Sequence, residues 1–113
     1  MNISSLKATN IELTDAIKNY VEVKLQPISK LVGDLPQATL SAEVGKTTNH
    51  HNKGPFFRCE LNLQIGKETL RAEEDREDLY ESVDVAIDEL KRQIKSRKEK
   101  KMDVHRQVRP GKE

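Results

Sequence analysis

The stretch FRCELNLQIGKETLRAE, residues 57–73, decides the fold of this chain. Apolar and polar residues alternate through its first nine positions, so one set lies on each face of a strand. Gly66-Lys67 then fits a two-residue hairpin turn with glycine first, and residues 68–73 return as a second strand. The stretch therefore predicts a β-hairpin with one buried face and one wet face. The buried set is Phe57, Cys59, Leu61, Leu63 and Ile65.

A third strand is predicted upstream of the hairpin. Residues 37–44 alternate in the same way, with four small or aliphatic side chains on one face: Ala38, Leu40, Ala42 and Val44. A polar loop, residues 46–55, connects it to the hairpin. Residues 2–8 are a weaker strand candidate, because Ile3 and Leu6 do not share one alternating face.

Two helices complete the predicted fold. Thr14 is the expected N-cap of the first, whose core stripe is interrupted by Pro27. The second begins after residues 75–78 and has the longer apolar stripe: Leu79, Val83, Ala86, Ile87, Leu90 and Ile94. The sequence thus predicts an α+β fold of order β-α-β-β-β-α, a four-stranded sheet with both helices packed on one face.

Composition excludes several classes of protein. The chain has 113 residues, 35% of them hydrophobic and 35% charged, which predicts one domain with a thin core. Its single cysteine, Cys59, excludes an internal disulfide and suits a reducing compartment. No segment has the pattern of a secretory signal or a membrane span. We therefore expect a cytoplasmic protein.

The last third of the chain is divided into two blocks of opposite charge. Residues 73–90 hold nine acids and one Arg, whereas residues 91–113 hold ten Lys or Arg and three acids. The total of +1 conceals this division. A concentrated cationic segment can neutralise phosphates, so nucleic acid is a candidate partner.

Catalytic and metal-binding sites find little support. Cys59 lies on the apolar face of its strand, where a buried thiol is the usual role. His50 and His51 are adjacent, so they do not form the i, i+4 pair that binds a metal on a helix. No glycine-rich phosphate loop is present. We predict a protein that is not an enzyme, with no catalytic residue, metal or cofactor and no small-molecule substrate.

The basic block gives a stronger signal. Lys91, Lys95 and Lys98 are spaced by four and three residues and share one flank of the second helix, with Arg92 beside them. The first helix adds Lys18, Lys24 and Lys30, placed roughly along one side. Two basic helices side by side would bind an RNA backbone. The alternative is a solvated helix end in which Asp88 pairs with Arg92.

Two segments resemble a known family. The second helix resembles that of the bacterial ribosome hibernation-promoting factors, also called ribosome-associated inhibitor A. The residues concerned are Asp78, Leu79, Tyr80, Asp84, Ile87, Leu90, Arg92, Gln93, Ile94, Lys95 and Lys98. The start of the first helix is similar to the same family through residues 10–14, Ala16, Ile17, Val21, Lys24 and Leu25. The resemblance covers about residues 1–101.

The resemblance implies a fold like that of double-stranded-RNA-binding domains and a specific partner. Family members bind the decoding region of the small ribosomal subunit, block tRNA and mRNA, and inhibit translation during stress. By resemblance, this chain would contact rRNA, and ribosomal proteins beside it, and be a monomer off the ribosome. The implied rRNA contacts are Lys18, Lys24, Lys30, Lys91, Arg92, Lys95 and Lys98, with Lys46, His50, His51 and Lys53 as weaker candidates.

Two departures from the family qualify the resemblance. Pro27 falls where members continue the first helix, which affects the position of Lys30. The chain also stops at Glu113, which predicts a short form with a domain over residues 1–101 and a basic, flexible tail over 102–113. Two other functions stay open. The acidic block could bind a protein, for example as a modulator of a transcription factor, or the chain could bind RNA duplexes of any sequence.

Overall fold

The secondary structure follows the predicted order with one helix divided. A computed structural model describes residues 1–33, 37–47 and 56–107 of the chain. Its elements are β1 (Asn2–Thr9), α1 (Asp15–Lys24), α2 (Gln26–Val32), β2 (Ala38–Thr47), β3 (Phe56–Ile65), β4 (Glu68–Arg76) and α3 (Leu79–Gln107). The α+β class and the β-α-β-β-β-α order are confirmed, with α1 and α2 together in the place of the first helix.

The four strands form one mixed sheet in the order β1-β2-β3-β4. The alternation in β2 and β3 gives an antiparallel pair, and β4 continues it through the hairpin. Because β1 reaches β2 through α1 and α2, it pairs in parallel. Buried side chains from one sheet face meet the apolar stripes of the helices. The opposite face is polar apart from Phe56 at the start of β3, so the single core lies between sheet and helices.

A bulge explains why β1 has no regular alternation. Ile3 lies opposite Leu40 and Leu6 lies opposite Ala42. Ile3 and Leu6 are three residues apart along β1, whereas Leu40 and Ala42 are two residues apart along β2. Ser4 is the extra residue, and its Oγ donates a hydrogen bond of 3.2 Å to the Leu40 carbonyl. The bulge returns Ile3 and Leu6 to the same face, which a strict two-residue period cannot do.

Two glycines are required by the sheet. Gly66 has φ of 61° and opens the turn between β3 and β4, while Lys67 keeps a negative φ, which is the pattern of a type II′ turn. Gly45 lies where β1 approaches β2, and a Cβ there would be 2.6 Å from the Thr9 carbonyl oxygen. A side chain at residue 45 would push the two strands apart.

Pro27 divides the first helix as predicted. The Thr14 hydroxyl accepts a hydrogen bond of 3.2 Å from the Ile17 N–H and caps α1. Leu25 ends α1 and precedes α2, in which Pro27 occupies the first turn, where its missing N–H costs least. Lys30 therefore belongs to α2 and not to a continuous first helix.

The long helix α3 packs across β3 and β4. Its buried stripe is the predicted set, and Ser82 joins it by donating its hydroxyl to the Leu79 carbonyl at 2.6 Å. The helix continues past residue 101, where the sequence placed a domain boundary, to Gln107. The remaining six residues of the predicted tail lie outside the described ranges. Among the described residues, no helix combines the length and the hydropathy that crossing a membrane requires.

Candidate nucleic-acid interface

The exposed surface of α3 has two flanks with different neighbours. The helix flank, which holds Tyr80, Asp84, Lys91, Lys95 and Lys98, faces α1 and α2. The strand flank, which holds Glu89, Gln93 and Arg97, faces β4. The predicted row of lysines thus lies on one flank, and Arg92 points outward and is joined to the other flank through Glu89.

The lysines of the helix flank differ in their contacts. Lys91 is seven residues from both Asp84 and Lys98, about two helical turns in each direction, so all three share this flank. Lys91 lies 3.8 Å from the carboxylate of Asp88, whereas Lys95 is exposed and has no ion-pair partner among the described residues. Lys95 is therefore available to an external anion, and Lys91 becomes available by giving up only a long contact with Asp88.

Lys98 connects α3 to α2. Its ammonium donates a hydrogen bond to the Leu31 carbonyl, at the C-terminal end of α2. The last carbonyls of a helix lack partners within that helix and carry partial negative charge, so a lysine is favourable there. Lys98 thus has a structural contact as well as a place in the row of lysines.

Lys24 is held in a network between α1 and α3. The Tyr20 hydroxyl donates to Asp84 Oδ1 at 2.7 Å, and Lys24 Nζ lies 3.4 Å from the same oxygen. The Tyr20 ring meets Tyr80 edge-on, with ring centroids 4.7 Å apart. The hydrogen bond to Asp84 raises the pKa of Tyr20 to about 12, with smaller contributions from burial and from nearby carboxylates. Tyr20 therefore packs and hydrogen-bonds between α1 and α3, and Tyr80 packs against its ring.

The other two predicted lysines of the first helix are exposed. Lys30 and Lys18 have no ion-pair partner among the described residues. Lys18 precedes Tyr20 by two residues, about 200° around α1, so it points away from α3 while Lys24 faces it. The structure therefore does not bring Lys18 and Lys24 to one side of the helix.

The strand flank holds its cations in ion pairs. Arg92 donates to both carboxylate oxygens of Glu89, at 3.0 and 2.6 Å, and Gln93 donates to the same carboxylate at 2.9 Å. These hydrogen bonds, with that of Arg92 the larger cause, lower the pKa of Glu89 to about 2. The alternative of a solvated helix end pairs Arg92 with Asp88, whereas in the structure Arg92 pairs with Glu89 and Asp88 lies against Lys91.

Most of the acidic block is engaged within the fold. Six of its nine acids lie against a cation of this chain: Glu73, Glu74, Asp75, Asp84, Asp88 and Glu89. The other three, Glu77, Asp78 and Glu81, are exposed around the start of α3, where the helix dipole favours negative charge. Ion pairs within the chain therefore account for more of these acids than the helix dipole does. The cations concerned are Arg58, Arg71, Arg76, Lys24, Lys91 and Arg92.

The sheet face opposite the helices is also self-paired. Arg58 binds Asp75 with two hydrogen bonds, of 2.7 and 3.1 Å, and lies 3.2 Å from Glu73. These contacts, the hydrogen bond first, raise the pKa of Arg58. Arg71 bridges Glu73 and Glu60. A cavity of about 230 Å³ opens at one end of this face, lined by Thr9, Asn10, Glu43, Gly45, Lys46, Thr47, Arg58 and Glu60.

Of the weaker rRNA candidates, Lys46 lies far from the row of lysines. Lys46 is exposed and pairs with Phe57, whose partner Arg76 ends β4. Arg97 contacts Glu68, which begins β4, so Lys46 and Lys98 lie at opposite ends of the sheet, about 26 Å apart along the strand. His50, His51 and Lys53 lie outside the described residues.

The described side chains bear on the predictions for Cys59 and for metal binding. Cys59 is fully buried in the core, as predicted, and burial raises its pKa to about 12, which disfavours the thiolate. In the described ranges, no three His, Cys, Asp or Glu side chains are grouped to hold a metal ion. The absence of catalytic residue, metal and cofactor stays a prediction.

Solved structures share this fold. The N-terminal domain of Thermus thermophilus Protein Y matches with a TM-score of 0.64 and 34% identity, over 85% of this chain and 98% of that domain. A ribosomal subunit interface protein from Coxiella burnetii matches with a TM-score of 0.69 over 87% of this chain and 98% of its own. At 17% identity, the second match shows the fold alone.

Curated relatives extend the similarity to sequence. A ribosome hibernation promotion factor of Staphylococcus aureus is 34% identical over 79% of this chain and 44% of that protein. Another, of Deinococcus radiodurans, is 30% identical over 97% of this chain and 56% of that protein. The chain spans about half the length of the curated relatives it matches.

The match to a protein family covers nearly the whole described fold. The family model described as "Sigma 54 modulation protein / S30EA ribosomal protein" matches residues 5–102, from β1 into the part of α3 that leaves the sheet. The chain therefore belongs to the Sigma 54 modulation protein / S30EA ribosomal protein family.

Proposed function

We propose that this chain is a ribosome hibernation factor that binds the small ribosomal subunit. It would lie at the decoding region, contact rRNA, exclude tRNA and mRNA, and inhibit translation under stress in the cytoplasm. The observation that carries the proposal is the lysine row of the helix flank, in a chain related to ribosome hibernation promotion factors. Inhibition would be steric and need no catalytic group.

The spacing of the lysines suits a phosphate backbone. Lys91 and Lys95 are four residues apart on one helix, so their attachment points are separated by about 6 Å along its axis. The helix is anchored by a buried stripe beneath them, which fixes the spacing of the two attachment points. Contacts of this kind supply affinity and register without reading base identity.

Ion pairing within the chain favours rRNA over a protein partner. A protein-binding role would use the acidic block of α3 and β4, but six of its nine acids already contact cations of this chain. The basic segment is different, since Lys95 and Lys100 have no ion-pair partner among the described residues. Within the described part of the chain, the acidic block is therefore mostly paired, whereas the C-terminal half of α3 keeps lysines without a carboxylate partner.

Sedimentation with ribosomes tests the proposal. Purified protein is run with small subunits and with whole ribosomes on sucrose gradients at low and high salt, beside an in vitro translation assay. Co-migration with the small subunit that is lost at high salt, together with inhibited translation, is expected because phosphate contacts weaken as salt rises. Protein that stays at the top of the gradient at both salts contradicts the proposal.

Charge reversal assigns the surface. Lys91→Glu with Lys95→Glu is expected to abolish co-migration while the fold is kept, since neither residue belongs to the buried stripe. The matched control is Lys7→Glu with Lys67→Glu, which makes the same change of charge at two exposed lysines of β1 and the hairpin turn. Equal loss in both variants would show that net charge matters and the helix flank does not.

A further inference from the structure

Asp84 places a carboxylate among the lysines of the proposed rRNA-binding surface. It lies on the helix flank of α3, and its side chain is 44% exposed, so its charge is felt at the surface. Its Oδ1 is 3.4 Å from Lys24 Nζ. A phosphate that approached this ammonium would therefore approach the carboxylate as well.

Lys24 is also held by an aromatic ring. Its ammonium lies 5.5 Å from the centre of the Tyr20 ring, and the Tyr20 hydroxyl fixes the carboxylate through a 2.7 Å hydrogen bond. A cation over a ring face is attracted by the ring quadrupole. The edge-on contact with Tyr80 limits movement of the Tyr20 ring. Lys24 thus has two partners that belong to the protein itself.

The contrast with Lys95 shows what this network does. Lys95 is on the same flank of α3 and is exposed, with no ion-pair partner among the described residues. A phosphate that binds Lys95 gains attraction without displacing a carboxylate. At Lys24 the attraction of the ammonium is offset by repulsion from Asp84, and the existing contacts must be broken first.

We infer that Asp84 withholds Lys24 from phosphate and so weakens binding of polyanions in general. This inference rests on the proposed function, because it concerns the selectivity of the same surface. A strand of phosphates that ran past both Lys24 and the lysines of α3 would meet one repulsive position, at Asp84. The cations left for simple polyanions are then those of α3 beyond Asp84 and the exposed lysines of the first two helices.

The charge of Asp84 can be removed without its hydrogen bond. In Asp84→Asn the amide oxygen still accepts from Tyr20, whereas the ion pair with Lys24 is lost. The probe is an RNA duplex of about 20 base pairs of arbitrary sequence, titrated at several salt concentrations. The slope of log K against log salt should steepen by about one, because each added phosphate contact releases about one counterion. Affinity at low salt should rise about threefold to fivefold, the size of one exposed charge interaction.

Two further variants identify the cause. Adding Lys24→Gln to Asp84→Asn should return the slope to that of the natural sequence, because the released lysine is then removed. Glu81→Gln makes the same change of net charge one turn earlier, at an exposed acid with no ion-pair partner among the described residues, and should leave the slope unchanged. Circular dichroism confirms that each variant is folded.

The outcomes separate this inference from the proposed function. An unchanged slope in folded Asp84→Asn, an equal gain in Glu81→Gln, or a gain that survives Lys24→Gln would overturn the role of Asp84. None of these results depends on ribosomes. Failure of the natural sequence to sediment with small subunits would instead overturn the proposed function, whatever the duplex titrations show.

Discussion

Both flanks of α3 carry cations, but the two sets differ in how closely carboxylates of the chain pair with them. On the strand flank, Arg92 is bound by Glu89 and Arg97 by Glu68, so each guanidinium has a carboxylate of the chain. On the helix flank, Lys95 has no such partner among the described residues and Lys91 has a distant one, at 3.8 Å. The comparison shows that the number of cations in a segment does not measure its capacity to bind phosphate. Neighbouring carboxylates decide which cations are available.

Truncating a side chain of the apolar stripe that anchors α3 should have the largest effect, and the effect is on stability. Leu90 is fully buried beneath α3. Leu90→Ala is expected to lower the free energy of unfolding by about 2–5 kcal/mol, because the cavity left behind cannot close completely. Urea denaturation measures this loss, with Ser96→Ala, at a half-buried position of the same helix, as the control. A loss below that of the control would show that α3 is not anchored by its apolar stripe.

Neutralising two cations of each flank in turn tests whether the flanks differ in their capacity to bind phosphate. Lys91→Gln with Lys95→Gln should weaken small-subunit binding by about tenfold or more and reduce the salt slope by about two, since two phosphate contacts are lost. Arg92→Gln with Arg97→Gln removes the same charge from the strand flank and should change binding by less than about twofold, because both guanidiniums are already paired. Filter binding over a range of salt gives both quantities. Equal effects of the two pairs would contradict the distinction.

Alternation and apolar stripes made most of the fold predictable. One face of the β2–β4 region is exposed to solvent, so the order of polar and apolar residues determines the register of these strands. The stripe of α3 is equally plain, and Pro27 marks the division between α1 and α2. The irregular β1 was harder to predict, since the bulge at Ser4 breaks the period that would identify it.

The candidate site was predictable in part. The spacing of Lys91, Lys95 and Lys98 placed them on one flank, because helical geometry alone fixes this. The state of each cation was not predictable, since it depends on how α1 and β4 lie against α3. Tyr20 and Asp84 are 64 residues apart, and no local pattern indicates their hydrogen bond. Helical spacing allows Arg92 to pair with either Glu89 or Asp88, and the structure shows the pair with Glu89.

The ionisation of Tyr20 tests the network on the helix flank. Its pKa of about 12 exceeds the ordinary value of 10.0, chiefly because Asp84 accepts its hydrogen bond. Its contribution to stability is therefore complete below pH 10 and is lost as pH rises through 12. Ultraviolet titration at constant temperature should show one tyrosine that ionises late, and Asp84→Ala should return it toward 10. A tyrosine that titrates near 10 in the natural sequence would contradict the network.

The ionisation of Glu89 tests the strand flank and should give the smallest effect. Its pKa of about 2 lies below the ordinary 4.5, because the carboxylate accepts hydrogen bonds from Arg92 and Gln93. A depressed pKa means that the contribution to stability is present above pH 4.5 and is lost as pH falls through 2. Carboxyl NMR should show Glu89 titrating near 2, and Arg92→Gln should raise its midpoint.

The interruptions in the two edge strands of the sheet affect how the protein behaves at high concentration. An open sheet ends in two strands whose free backbone groups can recruit a strand from another molecule. Here the bulge at Ser4 interrupts the β1 edge, and the Gln93 side chain occupies the Arg71 carbonyl of β4 with a 2.8 Å hydrogen bond. Each edge is therefore interrupted at one position. We therefore expect concentrated solutions to resist edge-to-edge aggregation, and Gln93→Ala to aggregate sooner than the natural sequence in light scattering at equal concentration.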